Sequence, residues 1–238
     1  MKKRIWELDA LRGLCILGML VVHFVYDLVD LTGLVRWEYP PFFLLIKEWG
    51  GVIFLLISGI CVTLGSRSLR RGGIVLACGL VVTAATFGMY YLGMAGPGII
   101  IWFGVLHCLG ICMLLWPLFR PLPVWLLGLL GLGIIAGGLW LDGRALVDFP
   151  WLVPLGFVFP GFVSSDYFPL LPDLGFFLMG AVLGSTLYRQ KATLFPGVNE
   201  KNPLIGFLTL CGRYSLPVYL LHQPVLYGLV QLLALIIK

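Results

Sequence analysis

An all-α integral membrane protein, a bundle of about seven transmembrane helices, is the fold class the sequence predicts. Three observations carry it. Hydrophobic residues make up 60% of the 238 and charged residues only 11%, whereas a soluble domain is about a quarter charged. Mean hydropathy is +1.02, and the apolar residues gather in runs of about 20, the length a helix needs to cross a ~30 Å hydrocarbon core. No segment alternates with period two, which excludes a β-barrel.

The predicted spans cover 11–30, 49–66, 73–94, 99–118, 122–141, 168–188 and 215–237. The first follows a basic start, Met1-Lys2-Lys3-Arg4, that mimics a signal peptide. Asp9 and Arg12 interrupt that pattern and no small-x-small site follows, so a retained helix is expected. The 31 glycines and 15 prolines lie largely inside the runs. Membrane helices accept them because neighbouring helices take up the freed backbone groups. Residues 40–48 (PPFFLLIKE) and 149–165 (FPWLVPLGFVFPGFVSS) are apolar but short and proline-broken. Both read as interfacial or re-entrant, and 149–165 is the place for an eighth span if there is one. A single domain over 1–238 is expected, and no internal repeat is visible.

Charge sets the orientation. With a cytoplasmic N-terminus, twelve basic residues share one side: Lys2, Lys3, Arg4, Arg12, Arg67, Arg70, Arg71, Arg120, Arg189, Lys191, Lys201 and Arg213. Four lie opposite: Arg36, Lys47, Arg144 and Lys238. That asymmetry predicts an odd number of crossings and a bacterial inner-membrane type of protein. The net charge of +5 follows from topology, since the basic residues sit at loop ends rather than in one nucleic-acid-binding patch. The six cysteines (Cys15, Cys61, Cys78, Cys108, Cys112, Cys211) fall in or beside apolar segments and read as core thiols. His107 beside Cys108 and Cys112 invites a metal, but no carboxylate or second histidine is near in sequence, so no metal is expected.

Ionisable residues inside spans are costly and point to function. All three histidines, His23, His107 and His222, lie in apolar segments. At about 100° per residue, Arg12 and His23 lie three turns apart and within roughly 20° of each other on the first helix. Asp9, Asp27 and Asp30 fall within roughly 60° of that line. The stripe is either a salt-bridge seam between helices or a polar cavity with His23 inside it and Asp27 orienting its ring. In the last span Ser215, Tyr219, Gln223, Tyr227 and Gln231 follow at four-residue steps with His222 alongside, which predicts an inward face. Pro224 removes a helix bond to the Leu220 carbonyl. Asp166, Tyr167 and Asp173 stand at the outer mouth of the sixth predicted span, either as loop decoration or as an acceptor-binding site. Arg67, Arg70 and Arg71 are either positive-inside anchors or a landing site for an anionic ligand.

RIWELDALRGLCILGMLVVHFVYDL, with its LDxLRG start and Arg-x10-His spacing, resembles bacterial membrane acyltransferases. GGVIFLLISGICVTLGSRSLRR resembles their second helix. FGVLHCLGICMLL, SSDYFPLLPDLGFFLMGAVLG and GRYSLPVYLLHQPVLY are similar to bacterial members of the heparan-α-glucosaminide N-acetyltransferase-type family. The resemblance runs from Arg4 to about Tyr227. It implies acetyl-CoA or another acyl-CoA as cytoplasmic donor and a hydroxyl or amine, often on a glycan, as acceptor on the far side. His23 then matches the catalytic histidine and Arg12 its motif partner. The lysosomal enzymes that name the family instead carry an asparagine at the position of His23, with their proposed histidine in a longer loop. Here that stretch, Asp27 to Glu48, has no histidine.

A thioester is already activated, so the chemistry asks for orientation, a base for the nucleophile and donors for the oxyanion. Candidate catalytic residues are therefore His23, Asp27, Arg12, His107 and His222, with His107 or Tyr219 as oxyanion donor. Candidate coenzyme contacts are Asp9, Arg12, Arg67, Arg70, Arg71 and Tyr219. Candidate acceptor contacts are Asp166, Tyr167, Asp173 and Gln223. The expected partners are acyl-CoA, an envelope glycan and the bilayer, with a homodimer as the oligomeric alternative. Rival classes are a proton-coupled or small-molecule transporter using the stripe as a relay, a b-type haem protein with paired histidine ligands, and an inactive scaffold of the same fold.

Overall fold

The computed structural model describes residues 4–141 and 147–237. Lys2, Lys3, Arg144 and Lys238 of the charge count lie outside the described residues. Eight α-helices follow in order: α1 (Trp6–Tyr26), α2 (Pro41–Leu64), α3 (Ser68–Tyr91), α4 (Val105–Phe119), α5 (Val124–Leu141), α6 (Leu170–Leu187), α7 (Pro203–Arg213) and α8 (Ser215–Ile237). Six of these regions, Trp6–Asp30, Pro41–Leu64, Ser68–Tyr91, Val124–Leu141, Leu170–Leu187 and Ser215–Ile236, are long and apolar enough to cross a membrane. The expected all-α membrane bundle is what the chain forms.

Two elements differ from expectation. The run at 99–118 makes a 15-residue helix, α4, about 22 Å long at 1.5 Å per residue. Its first part is extended backbone instead, and Phe168 N–H bonds the Phe103 carbonyl (2.9 Å). Residues 41–48 are not a separate interfacial piece but the first turns of α2. Pro41 fits there because the first helical position needs no amide hydrogen. Residues 149–165 hold a short 3-10 helix, Pro150–Leu155, and turns rather than an eighth span. In addition, α7 lies in a stretch to which no span was assigned, although Asn202-Pro203 is a start signal: the Asn202 side chain caps Leu204 N–H at 2.9 Å.

The chain divides into two compact units, residues 1–54 with 192–238, and residues 55–191, the boundary falling inside α2. In the first unit α7 runs antiparallel to α1. A Cβ on Gly13 would strike the Leu208 carbonyl and one on Gly212 the Asp9 carbonyl, so the helices touch backbone to backbone, the close approach that small residues permit in membranes. The direction then reverses, and α8 runs parallel to α1. Gly212→Leu should destabilise by about 1–3 kcal/mol or more, the usual cost of overpacking. A lowered melting temperature in detergent checks this, and an unchanged one would show that α1 and α7 are not in backbone contact.

In the second unit the last turns of α2 meet α6 in the same way, Gly59 against Phe177 and Gly180 against Leu56. Phe177, Leu178 and Ala181 of α6 and Leu55 of α2 are fully buried there.

Candidate active site

The first unit gathers polar side chains at two levels of α1. At its start Asp9, only 4% exposed, is the hub of a guanidinium cluster. Arg4 donates to both carboxylate oxygens (2.9 and 3.2 Å), while Arg12 lies 3.8 Å and Arg213 3.6 Å away. Neighbouring Glu7 is also buried. It accepts from the Thr193 hydroxyl and the Leu194 amide, both at 2.8 Å, and so holds the segment before α7 against α1. Arg4, Glu7 and Arg213 lie outside the site residues predicted from sequence. Glu7 had a signal in being a carboxylate two residues from Asp9, whereas Arg213 reaches the hub only because α7 returns to it.

Eleven residues beyond Arg12 along α1, about 16 Å of helix rise, His23 meets His222 of α8. The ring centroids are 4.8 Å apart, edge to face. His23 Nδ1 faces the Met19 carbonyl at 2.9 Å and His222 Nδ1 the Tyr219 carbonyl at 2.5 Å. A carbonyl only accepts, so each Nδ1 carries the hydrogen and each Nε2 presents a lone pair. His222 Nε2 is buried and without a hydrogen-bond partner among the described residues. The rings touch directly and leave no slot for a macrocycle between them, which argues against the haem alternative.

One turn on, Asp27 is wholly buried. The Gln223 amide donates to both of its oxygens (2.9 and 3.1 Å). The expectation that Asp27 holds the His23 ring is therefore corrected: a helix carbonyl does that, four residues back, and Asp27 is engaged by Gln223. Gln223 Oε1 is a second buried acceptor without a partner among the described residues. Asp27 begins a π-helical turn, Asp27–Leu31, a local widening frequent at functional sites and invisible in the residue pattern. Within it Asp30 is exposed and accepts from the Tyr39 hydroxyl. Desolvation first, and that carboxylate second, push the Tyr39 phenol up to about 12. Lys47 lies over the Tyr26 and Tyr39 rings, 5.9 and 5.7 Å from their centroids. Tyr219 packs its ring 5.3 Å from His222, while Gln231, at the far end of the predicted inward face, is exposed.

The remaining candidates belong to the second unit. His107 is fully committed: Gly104 N–H donates to its Nδ1 (3.2 Å), and its Nε2 meets Thr83 Oγ (3.2 Å), whose hydroxyl donates to the Ile101 carbonyl (2.7 Å). Both ring nitrogens are thus occupied, and the ring closes the first turn of α4. His107→Leu should lower the melting temperature and leave specific activity within a few-fold, because it removes two buried hydrogen bonds at about 1 kcal/mol each. Loss of activity in folded protein would overturn this.

Asp166 Oδ2 accepts Val105 N–H at 3.1 Å, at the start of α4. The Tyr167 hydroxyl donates to the Val153 carbonyl at 2.8 Å, and Asp173 is buried in the first turn of α6. Asp166 and Tyr167 thereby tie loops to α4 and to the 3-10 helix. Arg67, Arg70 and Arg71 are exposed around the start of α3. Cys108 and Cys112 place their sulfurs 3.9 Å apart, and all six cysteines are free thiols. Among the described residues no three His, Cys, Asp or Glu side chains cluster as metal ligands.

Asp9, Arg12, His23, Asp27, His222 and Gln223 all fall within a match to a protein-family model. That model is described as heparan-alpha-glucosaminide N-acetyltransferase, catalytic, and it matches residues 4–224. No curated protein and no solved structure matches the chain. The match covers nearly the whole chain and both units, and the protein thus belongs to the heparan-α-glucosaminide N-acetyltransferase family of transmembrane acetyltransferases.

Proposed function

We propose that the protein transfers an acetyl group from cytoplasmic acetyl-CoA to a hydroxyl or amine of a periplasmic or envelope acceptor, a glycan, across a bacterial inner membrane. The observation that carries this is the His23–His222 contact beside the Asp27–Gln223 pair on the α1–α8 seam. A neutral imidazole with its hydrogen fixed on Nδ1 and a lone pair at Nε2 is the form a general base must take. In this reading His23 Nε2 removes the proton of the incoming O–H or N–H. That nucleophile attacks the thioester carbonyl, and the tetrahedral intermediate expels the coenzyme thiolate, which takes up a proton and leaves as the thiol.

The donor's phosphates fit the other level of the same helix. Three guanidinium groups around one carboxylate leave surplus positive charge, and guanidinium binds phosphate in bidentate fashion. An extended pantetheine arm suits the three turns of α1 between Arg12 and His23. The match to a catalytic-domain model across both units supports treating the chain as one acyltransferase domain.

Purified protein incubated with radiolabelled acetyl-CoA and cell-envelope glycans, or D-glucosamine as a simple probe, should yield labelled acceptor. Label that stays entirely in acetyl-CoA, with solute flux in vesicles, would favour the transporter alternative. The charge asymmetry supports a cytoplasmic N-terminus. Reporter fusions should place residues 67–71 inside and the C-terminus outside. Both termini on one side would mean that α4 does not add a crossing.

A further inference from the structure

The mechanism just given uses one histidine and leaves the other unexplained, although His222 is the more buried of the two. Both rings have the same tautomer for the same reason, a helix carbonyl on Nδ1. Both therefore offer an Nε2 lone pair, and neither offers an N–H to the other. His222 Nε2 is buried without a partner, so it is an acceptor waiting for a donor.

Resting on the acyltransferase reading, we propose that His23 and His222 form a one-proton relay. In the transfer step the nucleophile's O–H or N–H bond breaks and its proton goes to His23 Nε2. That new N–H is the donor His222 Nε2 lacks, and a small swing of the rings passes the proton across. The new bond to the acyl carbon forms and the carbon–sulfur bond breaks. The electron pair stays on sulfur, and His222 returns the proton to the thiolate. Both rings end neutral, so the cycle needs no outside acid or base. The pair accepts one proton and not two, because a second would set two like charges in direct contact in a desolvated seam.

The titratable and charged groups around the pair fit this count. Tyr26 ends α1, Asp27 and Asp30 lie in the π-helical turn that continues it, and Lys47 of α2 lies over Tyr26. Tyr219 and Tyr227 lie on α8, while Arg213 of α7 is drawn to Asp9 at the far level. Asp27 is the carboxylate nearest in sequence to His23, and its two oxygens are occupied by Gln223. It stands as a fixed counter-charge for the travelling proton rather than as its acceptor.

Two experiments test the relay. The chain has only three histidines, so ¹⁵N-histidine NMR of the full protein in micelles is assignable by single substitution. At neutral pH His23 and His222 should both be Nδ1–H tautomers and His107 an Nε2–H tautomer. On acidification the first two rings should take up one proton between them, and His222→Gln should abolish that coupling. Independent uptake of one proton by each ring, or an Nε2–H tautomer at either, overturns the relay.

The second experiment compares acetyl-CoA with an acetyl thioester of an acidic aryl thiol, using D-glucosamine as acceptor. An acidic thiol departs without a proton. His222→Gln should therefore slow acetyl-CoA turnover on the order of 10²-fold and recover most of that loss with the aryl thioester. His23→Gln should recover nothing, since the nucleophile still needs its base. Equal losses for His222→Gln with both donors would make His222 a packing residue and overturn the relay. Wild-type protein inert toward both donors overturns the acyltransferase reading and with it the relay's task, while the NMR titration still decides whether the pair holds one proton.

Discussion

His23→Ala lowers acetyl transfer by about 10²–10⁴-fold, the usual effect of removing a positioned general base, while fold and acetyl-CoA affinity survive. The fold should survive because His23 is only half-buried and bonds just to a carbonyl of its own helix. Truncating it leaves a helix carbonyl that already has its backbone bond, not an orphaned charge. Donor affinity should survive because the guanidinium cluster lies about 16 Å back along α1. The measurement is turnover and acetyl-CoA binding on the same detergent-purified sample. If His23→Ala instead loses melting temperature and keeps specific activity within a few-fold, the ring is a packing element of the α1–α8 seam. If His23→Gln is fully active and His222→Gln is dead, the reaction stands and the first acceptor is His222.

Arg12→Gln weakens acetyl-CoA binding by about 10–100-fold, since a charge-assisted hydrogen bond contributes about 1.5–3 kcal/mol and each 1.4 kcal/mol is about tenfold. Arg12 is the guanidinium to test. Its side chain is 19% exposed, whereas those of Arg4 and Arg213 are 57% and 47% exposed, so its charge is the least screened of the three. Asp9 keeps Arg4 and Arg213 in the variant, and no buried carboxylate is left alone. Arg12→Lys should fall between the two, because an ammonium keeps the charge and loses the bidentate fork. Binding by equilibrium dialysis in detergent, repeated at high salt, reads the effect. An unchanged dissociation constant with a lowered melting temperature would mean that the cluster only ties α7 to α1.

What the sequence determined by itself was the class of structure and the level of chemistry along one helix. Run lengths near 20 residues can be satisfied in a bilayer only by helices, so α1, α2, α3, α5, α6 and α8 were legible from hydropathy. Helix periodicity alone placed Arg12, His23 and the aspartates on a common stripe of α1, because angles within one helix need no partner. Helix length was less legible. Hydropathy reads composition, and the apolar run before α4 is extended backbone paired with residues 165–168, a choice made by that pairing.

Tertiary structure alone decided which histidine belongs with which. His23 and His222 are 199 positions apart in the chain, and their contact requires α7 to run back along α1 and α8 to reverse again. That reversal rests on glycine contacts whose sequence signal is only two glycines among 31. It also assigned Gln223 to Asp27 and a helix carbonyl to each histidine, and it tied His107 into a helix cap. The three histidines look alike as sequence, since an imidazole's role depends on what its two nitrogens face, and those partners are supplied by the fold.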